Sequence, residues 1–311
     1  MVDSRTRSAI LIELPAADRR KLRVTKLRGA KYRSGNHDCI ILTGGLEVFP
    51  RLVASEHRSA FGVKTISTGV TELDALLGGG LDHGASTLLL GPAGSGKSAV
   101  AMQAACAAAA RGEAVALFLF EERMGTFHAR ASSLGLPIRR HIESGLIRVK
   151  QIDPAELPPD QFTHLVRLSV EEGARMLVVD SVSGYFMAMP DSQALSLQLH
   201  ELLAYTGDQG VASVLTLAQT GLVGNMQSPV DMSYLADTVV LFRYFEAKGH
   251  IHKAVSVVKR RSGAHEDSIR KLTFNETGIV VGPPLLDFHG VLTGAPARAG
   301  QADGPRGFRR T

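Results

Sequence analysis

"GPAGSGKS" runs from Gly91 to Ser98, with "STLLL" (86–90) before it and "AVAMQAACAAAA" (99–110) after it. The pattern G-x-x-x-x-G-K-S is that of a phosphate-binding loop, and its flanks give it context: an apolar run with strand character, then an alanine-rich run with helix character. Glycine lets the backbone curl so that successive N–H groups point inward, which makes an anion-binding concavity at a helix N-terminus. On this reading Gly91, Pro92, Ala93, Gly94, Ser95 and Gly96 wrap the phosphates of a nucleotide. Lys97 reaches the β- and γ-phosphates as a point charge, and Ser98 ligates Mg²⁺. The bland alternative, a glycine-rich turn with a chance lysine, needs both flanks to fit by accident.

Working outward, "AVALFLF" (114–120), "LIRVKQ" (146–151), "RMLVVDS" (175–181) and "VASVLTLA" (211–218) read as further strands. Between them lie stretches of helical length, "FTHLVRLSVEEGA" and "DSQALSLQLHELLAYTG". Strands alternating with helices imply an α/β fold: a mostly parallel central sheet with helices on both faces. The runs "TVVLFRYFEA", "KAVSVVKRR" and "IRKLTFNETGIVV" follow one another without helices and predict an antiparallel extension of that sheet.

Several residues could complete the loop's chemistry. Asp180 ends an apolar strand, where its carboxylate can hold the Mg²⁺ shell if that strand is adjacent to the loop; a helix-capping Asp is the alternative. Glu121 and Glu122 follow "ALFLF", where one carboxylate could polarise an attacking water. Two acids before a helix are equally what its dipole favours. Gln219 could sense the γ-phosphate, or could be a polar residue where a strand leaves the core. Lys259 and Arg261 stand two apart in an extended run and so share a face. They could serve as a finger supplied to a neighbouring subunit's phosphates, or could form a solvated basic edge. The histidines, His57, His83, His128 and His141 among them, show no metal-ligand spacing with a cysteine, and "HIH" (250–252) reads as a surface strand.

With 311 residues, 44% hydrophobic and 21% charged, the composition is that of a globular protein with one large or two smaller domains. No apolar run is long enough for a membrane helix, and Cys39 and Cys106 suit a reducing cytoplasm rather than a disulfide framework. Net charge is +5, with arginines and lysines gathered at both ends. Aromatics are only 5%, with no tryptophan, so a stacking platform for nucleic acid is not evident. The early stretch "VTKLRGAKYRSGNHDCIILTGGLEVFP" (24–50) resembles the late one from "VVKRRSG" (257–263) through "LTFNETGIVV", one domain length away. Either two basic hairpins look alike, or the first fifty residues are the closing strands of a preceding copy of the domain.

The stretch "STGVTELDALLGGGLDHGASTLLLGPAGSGKS" (67–98), with "FEE" (120–122), "LVVDS" (177–181), "LADTVVLFRYFE" (235–246) and "VVKRRSGAHEDSIR" (257–270), resembles the RecA-like ATPases of the KaiC group. The resemblance covers nearly all of 62–293, and it is to the second of the tandem domains common in that group. It implies a remnant of a preceding domain plus linker at 1–61 and the ATPase domain at 62–293, while the Gly/Pro/Arg-rich composition of 294–311 reads as a disordered tail. It implies ATP with Mg²⁺, one of Glu121 and Glu122 as general base, and a hexameric ring whose neighbouring subunit supplies Lys259 and Arg261. It also implies a switch-like role with a signalling partner. Ser233, in "NMQSPVDMSYLADTVV", falls on the group's serine phosphoacceptor position, while Tyr234 replaces the paired threonine. The rivals are a DNA-dependent recombinase or helicase, against which "TGLVGNMQSPVDM" carries no Lys or Arg, and a nucleotide-binding adaptor without hydrolysis, against which Glu121, Glu122 and Asp180 are intact.

Overall fold

Each of the five apolar runs read as strands forms one in the computed structural model, which describes residues 8–14, 19–27, 29–57, 59, 61–62, 64–187, 192–221, 232–292 and 297–298. An antiparallel meander comes first: β1 (Ser8–Leu14), β2 (Arg19–Lys26), β3 (Asn36–Leu42) and β4 (Gly45–Phe49). The short pair β5 (Thr65–Ile66) and β6 (Leu81–Asp82) brackets α1 (Thr71–Leu76). Next come β7 (Ser86–Pro92), α2 (Lys97–Ala110), β8 (Val115–Leu119), α3 (Met124–Ser133), α4 (Ile138–Glu143) and β9 (Ile147–Gln151). They are followed by α5 (Pro159–Glu171), β10 (Met176–Asp180), α6 (Val182–Met187), α7 (Ser192–Asp208) and β11 (Ala212–Gln219). The chain closes on β12 (Thr238–Ala247), β13 (His250–Arg260), β14 (Arg270–Asn275) and β15 (Gly278–Pro284), with a short pairing of β16 (Phe288–His289) and β17 (Ala297–Arg298). Apart from Ala297 and Arg298, the stretch 294–311 lies outside the described residues, as does 222–231.

The central sheet has nine strands in the order β15-β14-β13-β12-β7-β11-β10-β8-β9. From β12 to β9 the strands are parallel, and β13, β14 and β15 continue antiparallel, as the helix-free runs predicted. Parallel strands covered on both faces read as continuous apolar runs, which is why "VALFL" and "MLVV" carry no alternation. Successive residues nonetheless face opposite cores. Leu89, Leu117 and Val178 join the layer of α1 to α4; Leu88, Phe118 and Val179 join the layer of α5, α6 and α7. In α2, Ala104, Ala105, Ala108 and Ala109 are all buried. Small side chains let this helix lie close on the sheet and bring its first turn over the strand ends.

The meander forms a sheet of its own and docks on α5. Asp38 of β3 and Asp160 in the first turn of α5 exchange contacts: each backbone N–H donates to the other's carboxylate, at 3.0 and 2.9 Å. Beside them the rings of Phe49 and His164 lie 5.8 Å apart. Leu52 and Ala54, which follow the meander, are buried in the α5–α7 layer.

Candidate nucleotide site

The carboxyl ends of β7, β8, β10 and β11 open on one side of the sheet, where ligands of open α/β sheets bind. The loop from β7 to α2 turns there on glycines that accept no substitute. Gly96 has φ 109°, and a Cβ at that position would stand 2.2 Å from the ring of Phe274. At Gly91 a Cβ would meet the Phe242 carbonyl oxygen at 2.6 Å. Tyr244 Oη braces the loop from β12 by donating to the Ala93 carbonyl at 3.0 Å. Ser95 is fully buried, and its hydroxyl has no hydrogen-bond partner among the described residues.

Lys97 folds under the loop, its Nζ donating to the carbonyls of Gly91 and Pro92 at 2.8 Å each. Burial lowers its pKa to about 8, against the raising pull of Asp180 and Glu121. Ser98, at the start of α2, donates its Oγ to Asp180 Oδ1 at 2.9 Å. The expectation that Asp180 lies on the strand next to the loop is corrected: β11 stands between β7 and β10. That intervening strand contributes a residue the sequence reading missed, Thr216, whose Oγ1 donates to the same Asp180 oxygen at 2.6 Å.

Glu121, Glu122, Asp180 and Ser98 line one cavity of about 390 Å³, together with Arg123, Thr126, Arg130 and Ser181. Ser181 Oγ donates to Glu121 at 3.1 Å. Glu122 lies 2.6 Å from Arg130 Nη2, off the hydrogen-bonding axis, and Arg130 also stands 3.7 Å from Asp180 Oδ2. Burial raises the Glu122 pKa, Arg130 partly offsets this, and Asp180 adds to it. A second cavity of about 290 Å³ lies against Gly94, Gly96, Lys97 and Ser98, walled by Leu134, Lys253 and Phe274, with Arg130 shared between the two. Lys253 Nζ sits 4.8 Å from the centre of the Phe274 ring. The sequence reading passed over Arg130, Lys253 and Phe274; a cation on the helix after the acidic pair was the one available signal.

Gln219, at the end of β11, accepts from Arg243 Nη1 at 2.5 Å. Arg243 is a further missed residue, visible in retrospect as a cation inside the apolar strand "VVLFRYF". Lys259 and Arg261 both reach back to the turn before β12 rather than to this chain's own phosphate loop. Lys259 donates to the carbonyls of Ser233 and Ala236 at 2.6 and 2.7 Å; Arg261 donates to that of Tyr234 at 2.7 Å. Arg260 between them turns the other way, to Asp82 at 2.8 Å.

The donor set suits Mg²⁺. Hard oxygens from Ser98 and Asp180 already face each other, and among the described residues no cluster of three or more His, Cys, Asp or Glu could hold a metal alone. Mg²⁺ is typically held in this way, by one or two protein oxygens plus phosphates and waters. No helix among the described residues is long and apolar enough to cross a membrane.

The family model for the KaiC ATPase matches residues 66–285. The circadian clock oscillator protein KaiC of Picosynechococcus sp. is 24% identical over 282 residues, which is 90% of this chain and 54% of that protein. For the protein of the same name from Parathermosynechococcus lividus the identity is 25% over 287 residues, 90% and 52% of the two lengths. The circadian clock protein KaiC3 of Synechocystis sp. is 22% identical over 288 residues, 92% and 57% of the two lengths. The chain thus spans about half the length of the curated relatives it matches. The matched span holds the phosphate loop, the acidic pair, Asp180 and the whole nine-stranded sheet, and the chain belongs to the KaiC ATPase family, with a RecA-like, ATP-binding domain.

Proposed function

We propose that this domain binds ATP together with Mg²⁺ and hydrolyses it, at a site completed by a neighbouring copy in a ring, and that Ser233 is a phosphoacceptor. The observation that carries the first part is the convergence of Lys97, Ser98, Asp180, Glu121 and Glu122 on one end of the sheet. Ser98 and Asp180 would hold Mg²⁺, which supplies charge neutralisation to the phosphates when bound. Lys97 would exchange its two loop carbonyls for phosphate oxygens. Glu122, whose carboxyl burial makes more basic than an exposed one, is suited to take a proton from an attacking water.

The ring is supported by where Lys259 and Arg261 sit. Asp237, which pairs with Arg261, is bonded to Ser86 at the start of β7, whereas the phosphate loop follows Pro92 at its end. A strand of that length spans roughly 20 Å. The finger thus stands at the opposite end of β7 from its own chain's phosphate loop, which favours its supply to a neighbour. The same geometry removes Ser233 from its own loop, so phosphoryl transfer to it would run between copies. The meander is the closing edge of a preceding domain copy on this reading: Gly45 opens β4 and Gly278 opens β15 at the same interval that separates Lys26 from Lys259.

Incubation with Mg-ATP, following ADP release and intact mass together, tests this. ADP release that disappears in Lys97→Ala, with phosphate lost in Ser233→Ala, is the expected result. Unchanged release from Lys97→Ala would remove the hydrolysis reading, and equal labelling of Ser233→Ala would remove the acceptor.

A further inference from the structure

Arg130 occupies an unusual place. It projects from α3 into the wall between the acidic cavity and the phosphate-loop cavity, and lines both. Its Nη2 lies 2.6 Å from Glu122 and 3.7 Å from Asp180, while Ser98 and Thr216 hold the other Asp180 oxygen. Its Nε is buried without a hydrogen-bond partner among the described residues. The guanidinium therefore neutralises the carboxylates that a divalent cation would need, yet its own donors are incompletely used where it stands.

We propose that Arg130 is a resident counter-ion that makes metal loading conditional on nucleotide. With the guanidinium against Glu122 and Asp180, a bare divalent cation meets a charge of its own sign within a few ångströms of its ligand. Such repulsion is strong in a partly buried site. Phosphates in the adjoining cavity offer the guanidinium a better partner, since Arg matches phosphate oxygens with two parallel donors. Turning toward them uses its idle Nε, uncovers Asp180 for the metal, and releases Glu122. Metal and nucleotide then enter together, and Glu122 becomes available only once both are in place. This inference rests on the ATPase reading and adds its regulation. Arg130 is on this account a positioning residue.

The test is binding of Mn²⁺ alone to the full chain, read from the free-ion electron paramagnetic resonance signal, in wild type and Arg130→Gln. The expected result is at least tenfold tighter Mn²⁺ binding by the variant without nucleotide. Arg130→Lys, which keeps the charge, should stay near wild type. Arg130→Met, which keeps the aliphatic stem, carries the same expectation as the glutamine variant if that one does not fold. Equal Mn²⁺ affinity in wild type and the neutral variants overturns the proposal. Binding of a fluorescent ATP analogue to the wild type, measured in parallel, separates the two failures. Analogue binding with equal Mn²⁺ affinities rejects only the role of Arg130, whereas no analogue binding rejects the nucleotide reading beneath it.

Discussion

Single atoms decide the site. Gly96 combines a positive φ with a neighbouring ring that leaves no room for a methyl group. Gly96→Ala is expected to lose binding of a fluorescent ATP analogue and to cost about 1–3 kcal/mol in urea unfolding, as overpacking at a strained backbone does. Thr216→Val tests the support of Asp180. Valine keeps the shape but not the donor, so the carboxylate loses a 2.6 Å hydrogen bond in a partly buried setting. The expected effects are a loss of about 1–3 kcal/mol in stability and weaker calorimetric binding of Mg²⁺ with a non-hydrolysable ATP analogue. Thr216 was not legible in advance because a threonine inside an apolar strand fits the sheet without any further role.

At the level of elements, the contact between the meander and α5 brings two carboxylates together. Burial raises Asp160 to about 6, and Asp38 across the contact adds to the shift; the backbone N–H of Asp38, the amide of Gln198 and the charge of Lys21 oppose it. The folded state therefore binds more protons here than the unfolded chain between about pH 4 and pH 6, and stability falls as pH rises through that window. Asp160→Asn removes the charge. Its Oδ1 can still accept from Asp38, and its Nδ2, in the place of the oxygen that accepts from Gln198 Nε2, can donate to Gln198 once that amide flips to present its Oε1, which has no partner among the described residues. The variant is expected to be more stable than wild type above pH 6 by about 1–3 kcal/mol, with the gap closing toward pH 4 in urea unfolding. A second element-scale expectation concerns α2. Ala105 is fully buried, so Ala105→Leu should overpack the helix–sheet contact and lower the thermal midpoint, with a cost of about 1–3 kcal/mol.

For the whole molecule the question is which chain acts on which. If the finger and the acceptor come from a neighbour, a mixture of Lys97→Ala and Ser233→Ala chains should carry phosphate on the Lys97→Ala chain, resolved by intact mass. Phosphate appearing there only when the chains are mixed supports transfer between copies; no phosphate in the mixture, with wild type labelled, would sink it. The sequence by itself determined the phosphate loop, the strand–helix alternation, the antiparallel closing strands and the acidic candidates. Each of these is a local pattern: glycines where the chain must curl, apolar runs where a strand is buried on both faces, a carboxylate where a strand ends. Only the tertiary structure decided the order of strands, because nothing local says that β11 inserts between β7 and β10. That order puts Thr216 on Asp180, α3 packing puts Arg130 on Glu122, and antiparallel pairing carries Lys259 and Arg261 to the far end of the sheet from the loop. These are contacts between residues distant in sequence, fixed by how buried faces pack, and no spacing along the chain records them.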